Sequence, residues 1–238
     1  MGTEPELQFF VTNEHSCSYL PNQYATTIFA DPKMPLDQQR YTQLCEQGFR
    51  RSGSFVYRPA CQACSACIPL RLPVAAFKPN RQQQRVSRKN DCLNVTIADQ
   101  TFSQADFELY KRYIAHQHHT SSMHPATQEQ YRSFLLCQWS HTKLARFFAE
   151  DQLVCVAVID HLQTGLSAVY TFYDPDFAHL SLGTYALLWQ IEYCRAKQLR
   201  HLFLGYWIQT CRKMAYKSQY QPFEILINGQ WRLQQPLR

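Results

Sequence analysis

The chain has 238 residues, 45% hydrophobic and 18% charged, with a formal net charge of +6 and ten cysteines. That balance excludes a disordered chain and provides enough length for one large domain or two small ones. The mild positive charge permits a polyanionic partner without requiring one.

The opening MGTEPELQFF is acidic and has no basic segment ahead of an apolar run, so it does not read as an export signal. Glu6 stands where an amino-terminal acylation signal needs Ser or Thr. The longest apolar run, LVCVAVI (residues 153–159), is too short to cross a bilayer. Cysteines in such a chain suit a reducing cytoplasm, as buried apolar residues, metal ligands or reactive thiols rather than disulfides. The expectation is a cytoplasmic protein with no membrane partner.

Residues 1–100 read as an irregular Cys/Arg-rich region, cut into short elements by Pro32, Pro35, Pro59, Pro69, Pro73 and Pro79. YTQLCEQG (41–48) reads as a short helix closed by Gly48. FVY (55–57), IPLRLPV (68–74) and LNVTIA (93–98) read as strands, the second at a sheet edge because of its prolines.

Between the first two strands, YRPACQACSACIPLR (57–71) spaces Cys61, Cys64 and Cys67 evenly. Zinc and iron–sulfur sites usually take four ligands, and Cys17 in HSCSYLP is a distant fourth thiolate. A ferredoxin run would continue with cysteine at position 71, where Arg71 stands. The alternative is a tight loop of small buried cysteines. Arg50, Arg51, Arg58 and Arg71 bracket this loop. KPNRQQQRVSRKN (78–90) then puts Arg81, Arg85 and Arg88 on one helical face with no acid among them. Such a face suits a phosphate backbone; the plainer alternative is a solvated helix.

Residues 101–238 read as a helical segment followed by an α+β domain, packed with residues 1–100 as one unit. SQAD (103–106) and TQEQ (127–130) signal helix starts. HQHH (116–119), with His124, sits at an expected helix end and is a weak metal candidate. LARFFAE (144–150), LVCVAVID (153–160) and LSAVYTFY (166–173) form an antiparallel meander. An amphipathic helix over 184–198 and a strand, HLFLGY (201–206), follow. This α+β order resembles the acyltransferase fold of the GCN5-related N-acetyltransferase type, with an antiparallel sheet and flanking helices.

Asp174, in YTFYDPDF, lies at the end of the third meander strand, where a carboxylate can orient or deprotonate an amine or simply form a turn. Tyr206, Lys213, Tyr216 and Lys217 combine π-faces and positive charge in a way that suits a single-stranded nucleic-acid end; a core strand and a basic surface helix are the alternative. No Gly-rich phosphate loop precedes the main helix, only a lone Gly183, which argues against coenzyme A as the acyl donor.

In order along the chain, HSCSYLP, GFRRSGSFVYRPACQACSACIPLR, FKPNRQQQRVSRKN, AVYTFYDPDFAHLSLGTYALLWQIEYCR and LGYWIQTCRKMAYKSQYQPFEIL resemble the bacterial aminoacyl-tRNA–protein transferases. Within them the likeness is to the aspartate/glutamate leucyltransferase branch, related to eukaryotic arginyltransferases. The resemblance implies transfer of leucine from leucyl-tRNA to the α-amine of proteins beginning with Asp or Glu, marking them for degradation. Eukaryotic relatives carry an N-terminal Cys-x-x-Cys pair able to hold a metal or an iron–sulfur cluster; here positions 17–19 are Cys-Ser-Tyr.

An aminoacyl ester is already activated, so no cofactor is required, although zinc or an iron–sulfur cluster could sit at Cys17, Cys61, Cys64 and Cys67. On this basis Arg50, Arg51, Arg58 and Arg71 are expected to include the clamp for the acceptor carboxylate. Arg81, Arg85, Arg88, Lys213 and Lys217 are expected on tRNA phosphates. Tyr173 and Tyr206 are expected at the aminoacyl-adenosine, and Asp174 at the amine. A non-catalytic RNA-binding module, an arginyl-tRNA donor and an acyl-CoA-dependent N-acyltransferase remain as alternatives.

Overall fold

The computed structural model describes residues 7–234. Residues 1–6, which carry most of the opening read above as no export or acylation signal, lie outside the described residues.

The first hundred residues hold more regular structure than their prolines suggest. Strands β1 (Phe9–Val11), β2 (His15–Ser16), β3 (Tyr24–Ala25) and β4 (Thr27–Ala30) lead into helix α1 (Gln38–Glu46). The Asp37 side chain caps α1 by accepting from the Arg40 amide, and Gly48, with φ +85°, turns the chain out of it. Next come β5 (Arg50–Ser52), β6 (Phe55–Pro59), β7 (Ile68–Pro73), α2 (Arg81–Lys89) and β8 (Asn94–Asp99). A reciprocal capping box between Asn80 and Gln83 starts α2. Strands β1, β4, β6 and β5, in that order, make a four-stranded sheet.

The remainder follows the expected order: α3 (Gln104–Gln117), α4 (Gln128–Leu135), then the meander β9 (Thr142–Ala149), β10 (Gln152–His161) and β11 (Gly165–Tyr173). A 3-10 turn (Pro175–Leu180) precedes α5 (Leu182–Ala196), which carries the chain to β12 (His201–Trp207). A short helix α6 (Arg212–Ala215) and a 3-10 turn (Tyr216–Gln219) lead to the hairpin β13 (Phe223–Ile227) and β14 (Gln230–Gln234).

These elements build one eight-stranded sheet in the order β14-β13-β7-β12-β11-β10-β9-β8. Among the described residues only β11 and β12 pair in parallel, and α5 supplies the crossover such a pair needs. The apolar side of α5 (Leu187, Leu188, Ile191, Cys194) packs on one sheet face with Phe147, Ala157 and Leu202. Helices α3 and α4 cover the other face through Phe107, Tyr110, Ile114, Tyr131 and Leu135. The architecture is the expected α+β sheet with flanking helices.

One strand expectation is corrected. β7 is not an edge strand but lies between β12 and β13. β13 pairs with β7 only at Leu70 and Arg71, so Pro69 and Pro73 fall outside that short ladder and disturb nothing there.

Candidate active site

Strands β11 and β12 run together only where residues 165–167 meet 201–203, and then part. Arg50, the first residue of β5, enters the opening. Its Nη1 donates to Ser167 Oγ at 2.8 Å and to the Phe203 carbonyl at 3.3 Å, and its Nη2 donates to the Ala168 carbonyl. Its five N–H groups therefore meet three acceptors, none of them a carboxylate. The residue is only 9% exposed. Gly205, at φ +77°, leaves its Nε edge open; a Cβ there would lie 3.1 Å from Nε.

Lys217 is the second cation at this place and is 7% exposed. Its Nζ donates to the Tyr206 carbonyl at 2.6 Å and toward Met214 Sδ at 3.3 Å. Among the described residues no carboxylate reaches it. Burial, and then the charge of Arg50, pull its pKa down to about 7. Its earlier expectation as a phosphate contact is corrected: a buried lysine cannot ride on a solvent-facing backbone.

Cys67 and Tyr57 join this spot to a cleft of about 400 Å³, also lined by Cys17, Tyr19, Tyr24, Thr26, Cys61 and Cys64. Burial, then the neighbouring Cys17, Cys61, Cys64 and Cys211, push the Cys67 thiol up to about 12. The amides of Tyr19 and Leu20 both point at Cys17 Sγ from 3.5 Å, and Cys61 donates to the Thr26 carbonyl. The donor chemistry would suit zinc or an iron–sulfur cluster. The arrangement does not: among the described residues no three His, Cys, Asp or Glu converge to hold an ion, the histidines 116, 118, 119 and 124 included.

Several expected roles are corrected by the partners these residues have. Arg51 is buried against Asp160, Nε to Oδ2 at 2.6 Å and Nη2 to Oδ1 at 2.8 Å, so it is no free clamp. Burial works to raise the Asp160 carboxyl, but Arg51, Thr142 and Tyr41 outweigh it and hold it below the ordinary carboxylate range. Arg71 is shared between Glu46 and Glu224 and stacks 4.3 Å over Trp231. Asp174 is buried and accepts from both Arg112 nitrogens at 2.9 and 2.7 Å and from the Asp176 amide at 3.0 Å, which leaves no free oxygen for a base. The Tyr206 hydroxyl donates to the carbonyls of Gly48 at 2.9 Å and Tyr57 at 3.2 Å; it ties β12 to the N-terminal region and does not face a ligand.

Other expected residues are placed as surface or cleft groups. Arg58 keeps no carboxylate partner; it donates to the Gln47 carbonyl and lies 4.9 Å over Phe49. Tyr173 is half-buried, 5.0 Å from the Tyr113 ring. Arg81, Arg85 and Arg88 are exposed on α2 and Lys213 on α6. A contact from Gln83 Nε2 to the Gln219 carbonyl at 3.2 Å ties α2 to the 3-10 turn that follows α6. Sequence reading missed Asp160 and Arg112. A carboxylate closing the apolar run LVCVAVID could have signalled the first, because a buried charge must find a partner.

Comparison with known proteins gives consistent findings. The model described as arginine-tRNA-protein transferase, C terminus, matches residues 105–227, and that described as arginine-tRNA-protein transferase, N terminus, matches residues 15–85. The chain is 49% identical over 227 residues to an aspartate/glutamate leucyltransferase of Saccharophagus degradans, covering 95% of this chain and 96% of that one. It is 49% identical over 225 residues to the aspartate/glutamate leucyltransferase of Pseudomonas syringae pv. syringae, with 94% and 96% covered. The crystal structure of the C-terminal domain of a putative lysylphosphatidylglycerol synthetase from Agrobacterium fabrum superposes with a TM-score of 0.50 at 12% identity. That match spans 81% of this chain and 62% of that one, and it speaks to the fold alone.

Proposed function

The chain belongs to the arginine-tRNA-protein transferase family, and from that premise we propose that it moves leucine from leucyl-tRNA to the α-amine of proteins beginning with Asp or Glu. The observation that carries the choice of leucine and of acidic acceptors is the near full-length identity to relatives of that name. The product would carry a new N-terminal residue that marks the protein for degradation, and the tRNA donor sets the work in the cytoplasm.

The chemistry asks little beyond placement. The acceptor amine attacks an ester that is already activated, so holding the two in register supplies much of the rate. Of the four bracketing arginines, Arg50 is the buried one with no carboxylate of its own, and it suits the acceptor side chain. Arg81, Arg85, Arg88 and Lys213, with Arg212 beside it, suit phosphates of the tRNA. Tyr173, near the strand opening, suits the aminoacyl-adenosine end. The cysteine cleft is assigned a scaffolding role for the arginine site.

The test is a transfer assay with tRNA charged with labelled leucine or arginine and peptides beginning with Asp, Glu, Asn or Lys. Label moving from leucyl-tRNA to the Asp and Glu peptides alone is the expected result. Transfer of arginine instead would replace the donor, and tRNA binding without transfer would favour a non-catalytic RNA-binding module.

A further inference from the structure

A buried ammonium needs three acceptors or a counter-charge. Lys217 Nζ has neither. Its two partners, the Tyr206 carbonyl and Met214 Sδ, match the two N–H groups of a neutral amine and leave its lone pair without a donor. The groups that face it are Arg50 from β5, Cys211 ahead of α6 and Cys67 ahead of β7. None is a carboxylate, and Arg50 itself lacks one. Two buried cations side by side, with no acid between them, are stable only if one sheds its proton or an anion arrives.

Resting on the transfer activity proposed above, we propose that Lys217 is the catalytic base that takes a proton from the α-ammonium of the acceptor, while Arg50 beside it holds that same residue's side-chain carboxylate. An N-terminal Asp or Glu carries its amine and carboxylate only a few bonds apart, so one pair of neighbouring cations can address both. The α-ammonium gives one proton to the Lys217 lone pair. The freed amine attacks the ester carbonyl of the aminoacyl-tRNA; a C–N bond forms and the ester C–O bond breaks. The proton still on the attacking nitrogen passes to the departing ribose oxygen, and Lys217 releases its own proton to solvent. The arriving carboxylate also offsets the charge of Arg50, which strengthens Lys217 as a base when the acceptor is present. An acceptor beginning with Asn brings no such charge.

The pH dependence of single-turnover transfer tests this, with Lys217→Arg, Lys217→Gln and Lys217→Met beside the wild type. Glutamine and methionine remove the base without adding a permanent charge beside Arg50, so transfer should fall by about 10²–10⁴-fold while acceptor-peptide affinity changes only a few-fold; arginine, protonated throughout, should be as slow. Lys217→Met should regain rate when methylamine is added, which a merely structural residue would not allow. Wild-type Lys217, followed by NMR after isotopic labelling of the lysines, should titrate near neutrality. Full turnover in Lys217→Arg with an unaltered pH profile, or a Lys217 that stays charged above pH 9, overturns the assignment. The NMR titration does not depend on which amino acid is transferred, so failure of the leucyl assignment and failure of Lys217 as base are separately visible.

Discussion

Arg51 and Asp160 meet side-on, both side chains fully buried, Nε to Oδ2 at 2.6 Å, while Thr142 Oγ1 donates to Oδ1 at 2.6 Å and Tyr41 donates to Oδ2 at 3.0 Å. β5 is thereby fastened to the C-terminal end of β10, and Arg50 is the adjacent residue. Removing one partner leaves the other charged and buried. Arg51→Met should lower stability by about 3–5 kcal/mol, read from urea unfolding. The pair also sets an acid limit. Asp160 titrates below its ordinary value in the fold, so its stabilisation is fully present above about pH 4 and is lost as pH falls through the folded value. A midpoint that does not move with acid in the wild type would contradict this.

The exposed basic side of α2 predicts a salt effect. Arg85 and Arg88 have no acidic partner and point to solvent. Replacing both with Ala should weaken tRNA binding and flatten the dependence of log K on log salt by about 1 for each arginine removed. Acceptor-peptide binding should not change. An unaltered slope would remove these arginines from the tRNA surface.

Asp174 predicts a negative result. Its oxygens are committed to Arg112, the Asp176 amide and, at 3.4 Å, Gln152 Nε2. Asp174→Asn should cost about 1–3 kcal/mol of stability by weakening that charged network. Arg112 is half exposed and can recover water, which keeps the loss modest. The shape of the pH–rate profile between pH 6 and 8 should stay as in the wild type. A lost limb in that profile would restore Asp174 as an acid–base group.

The meander, α5 and β12 were legible because each is an apolar-rich run of strand or helix length bounded by polar turn residues. Partners were not. Asp174 ends a strand where a carboxylate could serve an amine, and only the fold reveals that Arg112, 62 residues earlier, closes on it. Lys217 lies in a basic stretch that reads as surface; the 3-10 turn rotates it inward while Lys213 stays outside. The four arginines around the cysteine loop look equivalent in sequence. Long-range carboxylates at Asp160, Glu46 and Glu224 are what separate Arg51 and Arg71 from Arg50.

The cysteine cleft predicts metal-independent transfer. Cys17, Cys61, Cys64 and Cys67 share the cleft without converging as ligands. Protein purified without oxygen and treated with a chelator should retain its rate of transfer within about two-fold, a margin of about 0.4 kcal/mol. Near-stoichiometric zinc or iron that is lost, together with activity, in Cys64→Ser would overturn this.

Gly205 and Gly229 give a matched pair of substitutions. Both sit at positive φ, +77° and +74°, so alanine at either costs about 1–2 kcal/mol of backbone strain. They differ in surroundings. A Cβ at 229 meets nothing within 4 Å, whereas one at 205 lies 3.1 Å from Arg50 Nε and 3.5 Å from Cζ. Gly205→Ala therefore also crowds the guanidinium, which must give by a few tenths of an ångström against its Ser167 and Ala168 partners. If Arg50 holds the acceptor carboxylate, Gly205→Ala should raise KM for Asp peptides by about ten-fold or more, the loss of roughly one charge-assisted hydrogen bond. Gly229→Ala should lose comparable stability and leave that KM unchanged. Equal KM values in the two variants would mean that Arg50 serves only to brace the parting strands.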